Sequence, residues 1–512
     1  MGKFHKIFAV FLTAVIVFSL CGCSVKDGVN SKKLTPVKVS EIKEVDGKMV
    51  PYHLGNPYLF YPVHMRYDHI MSYIDGEHTD SILEQAIKKV KESGFEAVML
   101  YAKWEKIYDG KNYDLTWFTK QFKLAEKYDL KVHVAWIGSN NCGFGGYMPW
   151  QTDYEKYPSL MENGKPKLST SDNSRTPDFS APIFLEEESE GIKRLCDWLN
   201  ENDKDRRTVA IQLQDEPDGW GGGYGFWMSQ FKTYVAYLNG LAKTVKEGNY
   251  SMIAYVNIAS STRETEVEGY DYAETVRYIM EQKYIDFVGV SYYGNDTSPG
   301  VKEFEKDGNF PVFVGFSAAT ASLPGQTVYA LSNGYGTCYY QLINLVTGQD
   351  SGLFRCQENT GSFFVERDGT KQFNGDGFGA EDELTYSEFV NMLNSMFKMD
   401  ELLAVTNTKY MKAFNNKLKN DTTASQRIDG KKIKFTYSNP NKKYGGCGFI
   451  LKADDGNYYG FSTQNASFEF PFDITVTEGE YKKGKWVPNG EVKVENNTFN
   501  TEAGKAYQII VK

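Results

Sequence analysis

The sequence predicts an α/β fold: a (β/α)8 barrel, or TIM barrel, followed by a small all-β sandwich domain. Two observations lead to this prediction. Between residues 58 and 342, eight short and mostly apolar runs alternate with stretches that have the apolar spacing of helices. Continuously apolar strands that alternate with helices are typical of a parallel sheet covered on both faces. From residue 431 onward, short alternating runs separated by turn residues predict the sandwich.

The individual elements follow in order from these patterns. Strands are predicted at residues 58–65, 95–101, 130–137, 208–214, 252–258, 285–292, 311–316 and 336–342. Helices are predicted at residues 81–92, 116–128, 183–200, 227–245, 272–282, 301–306 and 326–332, with a closing helix at 386–403. In the sandwich, Asp454-Asp455-Gly456 is a turn signal between two strands.

The beginning of the chain has the pattern of an export signal. Lys3 and Lys6 precede an apolar run that is short for a membrane-spanning helix. The run ends in Leu20-Cys21-Gly22-Cys23, which resembles a bacterial lipobox in which Cys23 carries the lipid and begins the mature chain. The alternative is a plain secretory signal with a chance cysteine. The prediction is an exported bacterial lipoprotein, anchored through its lipid on the outer face of a cell membrane.

Domain boundaries and composition complete this outline. We expect a signal peptide at residues 1–23, a flexible tether at 24–50, the barrel at 51–405 and the sandwich at 406–512. The net charge of −9 argues against nucleic acid as a partner. If Cys21 is removed and Cys23 carries the lipid, five of the seven cysteines remain. The chain has neither a CxxC pair nor a Cys/His metal spacing, so we expect these five to be mostly buried free thiols, and we expect no metal or cofactor. The sequence identifies no protein partner.

The stretch from Thr208 to Pro217, TVAIQLQDEP, carries the most chemistry. Its apolar start and later alternation predict a buried strand, and Pro217 ends the ladder because it has no N–H. Asp215 and Glu216 are therefore expected at the carboxyl end of the fourth strand, where barrel enzymes hold their reactive groups. The alternative is that both carboxylates are ordinary turn residues.

Further sequence segments lie at or after the predicted strands, and their order and spacing are informative. The series comprises Trp104 with Tyr113-Asp114, residues 136–141 (WIGSNN), Met148-Pro149-Trp150, and residues 153–158, 211–216, 286–293, 328–336 and 478–486. In this order and spacing they resemble the motifs of clan A glycoside hydrolases, in particular the β-galactosidase-like enzymes of families 35 and 42. The resemblance covers most of the chain from residue 58 to the end.

The resemblance implies Glu216 as the general acid/base. It places Asp215 where the family usually has an asparagine that hydrogen-bonds the sugar 2-hydroxyl. Glycoside hydrolysis also needs a second carboxylate, which attacks the anomeric carbon or activates water. Phe316 stands at the strand-seven position where the family has that glutamate. Glu358, beyond strand eight, is the nearest replacement by sequence, and its alternative interpretation is a loop carboxylate in water.

Six residues are candidates for sugar binding: Trp104, Trp136, Asn140, Trp220, Tyr292 and Tyr293. Aromatic rings stack on the C–H face of a sugar, although a single one of these rings fits a core position about as well. Trp220, in the glycine-rich run 219–225, fits a core position least. The predicted function is a surface-anchored, β-galactosidase-like glycoside hydrolase acting on β-linked oligo- or polysaccharide. The alternative is a sugar-binding barrel that lost turnover with Phe316. A third possibility, an aldolase-like barrel, lacks an evident strand-end lysine.

Overall fold

A computed structural model gives the fold of the chain. It describes residues 34–64, 83–84, 86–88, 90–138, 153, 155–168, 175, 177–215, 223–258, 272–291, 312–314, 323–339, 345–346, 352–353, 355–356, 363–367, 370–372, 380–415, 423–437 and 447–512. Side chains are described in these ranges except at residues 223–229, 272–273, 291, 312–314, 323, 345–372, 380–387 and 415.

Eight strands form one parallel sheet. They are β1 Val63–His64, β2 Ala97–Lys103, β3 Lys131–Ile137, β4 Thr208–Asp215, β5 Ile253–Ile258, β6 Phe287–Ser291, β7 Val312–Val314 and β8 Gly336–Cys338, and they pair in chain order. The last strand also bonds to the first, because the N–H of His64 donates to the Tyr339 carbonyl at 2.9 Å and the N–H of Tyr339 donates to Pro62 at 3.0 Å. A parallel sheet that closes on itself is consistent with the predicted (β/α)8 barrel.

Helices connect the strands. Helical residues fall within 83–92, and the further helices are α1 Trp104–Ile107, α2 Thr116–Lys127, α3 Pro182–Asn202, α4 Gly223–Glu247, α5 Tyr272–Met280, α6 Leu323–Ser332, α7 Ala380–Phe397 and α8 Asp400–Val405, with a 3-10 turn at Thr408–Tyr410. Helix α3 begins with Pro182, whose fixed φ suits the first helical position. Short strands follow β8 at Leu345–Val346, Gly352–Leu353, Arg355–Cys356, Phe363–Arg367 and Thr370–Gln372.

Aromatic rings fill the barrel interior towards the amino ends of the strands. The rings of Tyr255 and Phe287 stack with centroids 4.5 Å apart, and the Phe60 ring lies 4.4 Å from the His133 ring. The Tyr58 hydroxyl is 2.8 Å from the Nε2 atom of His133. Burial holds the pKa of His133 well below its ordinary value, so the imidazole is neutral. The interior is a packed core here, and the fully buried His133 is part of it.

The structure differs from the predicted tether over residues 37–50. Val37–Lys38 pairs with Tyr250–Ser251, and Ser40–Val45 forms a hairpin with Lys48–His53, which continues to Asn56–Pro57. The turn is Asp46-Gly47, and both residues have positive φ, 50° and 78°, as a type I′ turn requires. The Ser40 hydroxyl accepts from the Ile253 N–H at 2.9 Å and donates to the Val209 carbonyl, so the hairpin covers the amino ends of β4 and β5.

The carboxyl-terminal region is all-β, as predicted. Its strands are β9 Met411–Asn415, β10 Thr423–Ile428, β11 Lys431–Tyr437, β12 Cys447–Lys452, β13 Tyr458–Ser462, β14 Ala466–Glu469, β15 Ile474–Lys482, β16 Lys485–Val492, β17 Val494–Glu495, β18 Thr498–Thr501 and β19 Ala506–Val511. They form a sheet of order β9-β12-β13-β19-β15-β16 and a second of order β10-β11-β14-β18-β17. The rings of Phe414, Phe435 and Phe468 pack together in the core, with Phe435 and Phe468 4.6 Å apart.

A helix long and apolar enough to cross a membrane is not found among the described residues. Cys196, Cys338 and Cys447 are buried free thiols, as expected for the described cysteines. Burial raises the pKa of the Cys196 thiol to about 12, which keeps it protonated.

Candidate active site at the carboxyl end of the fourth strand

Asp215 is the last residue of β4 and is partly buried. Its Oδ1 atom accepts hydrogen bonds from the Nδ2 amide of Asn257 at 2.7 Å and from the Nε2 amide of Gln212 at 3.2 Å. Asn257 lies on the neighbouring strand β5, directly beside Asp215 in the register. Two side-chain amides from adjacent strands therefore hold this carboxylate at the carboxyl end of the sheet.

The amide of Gln212 links the Asp215 carboxylate to a deeper residue. Besides bonding Asp215, its Nε2 donates to the Gln214 carbonyl at 3.0 Å, and its Oε1 accepts from the Tyr255 hydroxyl at 3.3 Å. Burial raises the pKa of the Tyr255 phenol well above its ordinary value, so the hydroxyl keeps the proton that it donates. The chain Tyr255, Gln212, Asp215 connects the barrel core to the rim by hydrogen bonds.

Gln214 has an unusual backbone conformation for a residue that is not glycine. Its φ is 65°, and the register between β4 and β5 shifts between Gln212 and Asp215. A left-handed conformation costs about 1–3 kcal/mol and persists where neighbouring contacts enforce it. Here the Gln214 side chain makes two such contacts: its Oε1 accepts from the Gly138 N–H at 2.9 Å and its Nε2 donates to Glu188 at 2.8 Å. These two contacts hold the backbone in its left-handed conformation directly before Asp215.

Glu188 is a fully buried carboxylate on α3. Its Oε1 accepts from the Trp136 indole N–H at 2.8 Å and from Gln214, and its Oε2 accepts from the Tyr237 hydroxyl. A buried carboxylate is tolerated when hydrogen bonds replace its water, as they do here. Glu188 thus ties β3, β4, α3 and α4 together directly behind the strand that ends in Asp215. We call Glu188, Trp136, Gln214, Tyr237 and Gly138 the Glu188 network.

Lys156 and Tyr157, which follow β3 in the chain, are anchored on the same helix. The Tyr157 hydroxyl donates to the Glu187 carboxylate, and the Lys156 ammonium lies 2.5 Å from the other Glu187 oxygen. The Tyr113 hydroxyl donates to the Glu187 backbone carbonyl at 3.0 Å. At the end of β2, Lys103 and Glu105 form a buried ion pair with an N–O distance of 2.6 Å. These contacts fix the rim on both sides of the β3 end.

Trp104 and Trp136 are both fully buried. The Trp104 ring stacks on Tyr108 at a centroid distance of 5.9 Å, and a β-carbon added at Gly191 would lie 3.1 Å from the Trp136 ring and 3.5 Å from the Trp104 indole nitrogen. The two rings therefore pack side by side under α3, which gives them a core role. Their predicted role as sugar platforms stays a prediction.

Several predicted site residues lie outside the described residues. They are Cys23, Asn140, Glu216, Trp220, Tyr292, Tyr293, Phe316 and Glu358. Of the predicted catalytic residues, the structure therefore places Asp215 only, and Glu216 is its next residue in the chain.

Sequence reasoning missed Asn257, Glu188 and Tyr237. In the sequence, Asn257 stands out only as a single polar residue in the apolar run that precedes residue 259. Glu188 stands out only as a glutamate on the apolar stripe of α3. Both signals become specific only when the contacts are known.

No protein-family model matches this chain, and no curated protein matches it. Among solved structures, it is similar to an α-amylase from Anoxybacillus, with 12% identity, 88% of this chain and 98% of that chain covered, and a TM-score of 0.46. A family 5 glycoside hydrolase, a mannosidase from Rhizomucor miehei, matches with 11% identity, 70% and 98% coverage and a TM-score of 0.43.

The mannotriose complex of a β-mannanase from Thermomonospora fusca matches with 10% identity, 61% of this chain and 87% of that chain covered, and a TM-score of 0.39. These structural neighbours are glycoside hydrolases. At such identities and TM-scores the similarities carry no argument about the activity of this chain, and the narrower resemblance to families 35 and 42 stays a prediction.

Proposed function

We propose that this protein is a surface-anchored glycoside hydrolase, built on a (β/α)8 barrel with an attached β-sandwich, that hydrolyses β-linked oligo- or polysaccharide. The observation that carries the proposal is the polar network at the carboxyl end of β4, where Asn257 and Gln212 both hydrogen-bond Asp215. Glu216 follows Asp215 directly, at the position that the sequence motifs give to the general acid/base. Parallel barrels carry their chemistry at this end of the sheet.

The two neighbouring carboxyl groups have different tasks in this proposal. Glu216 protonates the glycosidic oxygen as the bond to the leaving sugar breaks. Asp215 accepts a hydrogen bond from a sugar hydroxyl, and the two amides that bond its Oδ1 hold it in one orientation for that purpose. Orientation of a polar group before the substrate arrives lowers the cost of binding, because less side-chain freedom is lost.

In this proposal the second carboxylate of the reaction comes from a position other than the end of strand seven. Phe316 stands at the strand-seven position of the nucleophile, and a phenyl ring neither attacks an anomeric carbon nor stabilises a positive charge as a carboxylate does. Glu358 is the replacement that the sequence offers. Phe316 also favours a second candidate function, a carbohydrate-binding barrel without turnover.

The deciding experiment measures hydrolysis of a panel of aryl β-glycosides and unactivated β-linked disaccharides by three proteins: wild type, Glu216→Gln and Glu186→Gln. Glu186 is an exposed residue of α3 and serves as the matched control. We expect Glu216→Gln to lower the rate on unactivated substrates by about 10²–10⁴-fold, the usual contribution of a general acid, and Glu186→Gln to keep the wild-type rate.

Equal non-zero rates in wild type and Glu216→Gln would reject Glu216 as the acid/base. A wild-type protein that binds the same sugars and hydrolyses none of them would instead establish the second candidate function.

A further inference from the structure

A groove of about 1070 Å³ lies where the sandwich meets α8 and the N-terminal hairpin. Its walls come from the turn between β12 and β13, the hairpin of β15 and β16, the end of α8 with the 3-10 turn, and the tip of the N-terminal hairpin. That hairpin covers the amino ends of β4 and β5, whereas Asp215 is at the carboxyl end of β4. The groove is therefore separate from the candidate active site.

Aromatic rings form one side of this groove. Trp486 and Tyr481 face each other across β15 and β16, and the Tyr459 ring lies 5.5 Å from the Trp486 ring and 6.0 Å from the Tyr481 ring. Trp486 and Tyr481 are partly exposed, and the Trp486 indole N–H donates to the Thr477 hydroxyl at 2.9 Å. This bond fixes the orientation of the indole, which leaves a rigid apolar surface beside polar groups.

Carboxylates lie next to the aromatic side. Asp454 and Asp455 are exposed in the turn between β12 and β13. The Asp455 carboxylate accepts from the Asn457 N–H at 2.9 Å and from the Tyr459 hydroxyl at 2.7 Å, and Gln508 donates to the Tyr459 oxygen at 2.9 Å. These bonds hold an acceptor of hydroxyl hydrogens in a fixed position within the groove.

The groove is held together across its separate elements. The Glu401 carboxylate of α8 accepts from the backbone N–H groups of Lys483 at 3.3 Å and Gly484 at 3.0 Å, which fixes the turn before Trp486. The Tyr481 N–H donates to the Lys398 carbonyl at 2.7 Å. A site that is fixed before binding loses less entropy when a ligand enters.

We infer that this groove is a second carbohydrate-binding site, which takes a neutral oligosaccharide segment of a longer glycan. Pockets for small ligands measure about 300–1,000 Å³, so this groove is at the upper limit and exceeds the needs of one sugar ring. Its charged lining comprises Asp46, Asp454 and Asp455 against Lys409 and Lys485, a balance that disfavours an anionic glycan. The aromatic rings can contact the C–H faces of sugars, and the carboxylates can accept hydrogen bonds from sugar hydroxyls, so the groove fits a neutral glycan.

The test is affinity electrophoresis of the full chain through gels that contain soluble neutral glycans: galactan, galactomannan or mixed-linkage β-glucan. All proteins carry Glu216→Gln, so that hydrolysis does not consume the glycan. We expect Trp486→Ala and Asp455→Ala to weaken retardation by about tenfold or more, as the loss of a central contact does. The control Tyr284→Ala, which removes a partly exposed ring outside the groove, should be retarded like the parent.

Retardation that is unchanged in folded Trp486→Ala, with folding checked by circular dichroism, would overturn the inference. So would the absence of retardation by every glycan. Either result leaves the proposed hydrolase untouched, because hydrolysis is measured separately. A Trp486→Ala protein that retains Glu216 is assayed on aryl β-glycosides, and its turnover reports on the barrel alone.

The apolar residues Val487, Ile510 and Val511 are exposed on the same sheet. If sedimentation experiments show a dimer and Trp486→Ala abolishes it, the groove binds a second copy of the chain and not a glycan.

Discussion

At Gly138, an added β-carbon would lie 1.7 Å from the Oε1 atom of Glu188 and 2.3 Å from its Cδ atom. The Glu188 carboxylate has little freedom to move away, because it is buried and accepts hydrogen bonds from Trp136, Gln214 and Tyr237. Alanine at position 138 therefore has to displace the carboxylate and break the Glu188 network. The same network holds Gln214, whose backbone leads directly into Asp215.

We expect Gly138→Ala to lower the free energy of unfolding by about 1–3 kcal/mol, the usual cost of overpacking a well-packed site, and to reduce kcat/KM for β-glycosides. The stability is measured by urea denaturation. The matched control is Gly490→Ala on β16, where nothing lies within 4 Å of the added β-carbon. A Gly138→Ala protein as stable as this control would contradict the tight packing of Gly138 against Glu188.

The sequence predicted the position of Asp215 because a strand pattern is followed directly by acidic residues within one short stretch, and Pro217 marks the end of the strand. It did not identify Asn257 or Glu188. Each is a single polar residue on an otherwise apolar strand or helix stripe, and its partner is distant in the chain: Asp215 is 42 residues from Asn257, and Trp136 is 52 from Glu188. Such pairs depend on tertiary contacts, which the local pattern does not contain.

Among the elements, continuous apolar runs gave the most accurate predictions. Strand β3 was expected at 130–137 and is Lys131–Ile137, and β5 was expected at 252–258 and is Ile253–Ile258. The hairpin around Asp46-Gly47 was missed, because charged residues on its outer face conceal the alternation. The closing helix, expected at 386–403, is two helices, and Met399 between them has a non-helical backbone conformation, with φ −144° and ψ 29°.

Helix α7 packs on the sandwich and carries a buried acid. The Ser395 hydroxyl donates to the Lys505 carbonyl at 3.1 Å, and the Lys398 ammonium donates to the Gly504 carbonyl at 2.8 Å. Glu388 precedes Ser395 on the same helix and is 3% exposed. Its Oε1 atom has no hydrogen-bond partner among the described residues. Burial raises the pKa of Glu388 from 4.5 to about 8, so the acid is neutral at pH 7.

The raised pKa of Glu388 predicts a loss of stability with increasing pH. Below pH 4.5 the side chain is protonated in both states, and between pH 4.5 and about 8 only the unfolded chain releases the proton. The contribution of Glu388 to the free energy of unfolding therefore decreases as the pH rises through this window. We expect Glu388→Gln, which stays neutral, to gain stability over wild type as the pH rises from 5 to 8 in urea denaturation series.

The exposed Glu491 on β16 provides the control for this prediction, since Glu491→Gln should follow the wild-type pH dependence. Parallel curves for wild type and Glu388→Gln between pH 5 and 8 would show that Glu388 titrates normally in the folded protein.

For the whole molecule, the distribution of cysteines bears on export. Cys196, Cys338 and Cys447 are buried as free thiols in α3, β8 and β12, and burial raises the pKa of each. A protonated, buried thiol reacts slowly with oxidants and disulfides. These three residues are therefore compatible with a fold that matures outside the cytoplasm without forming disulfides among them.

Cys23 is the residue on which the predicted membrane anchor depends. The segment before it has the charges and apolar run of an export signal, and a lipid on Cys23 would place the mature chain on the outer face of a membrane. We expect Cys23→Ala to remain unprocessed or to appear in the soluble fraction, and to incorporate no labelled palmitate. Cys21→Ala is the matched control, because the proposed cleavage before Cys23 would remove Cys21 with the signal peptide, so its substitution should leave lipid labelling and membrane fractionation unchanged. A wild-type chain that is soluble and begins at a residue other than Cys23 would reject the anchor, whereas the barrel site and the groove would still be tested by their own substitutions.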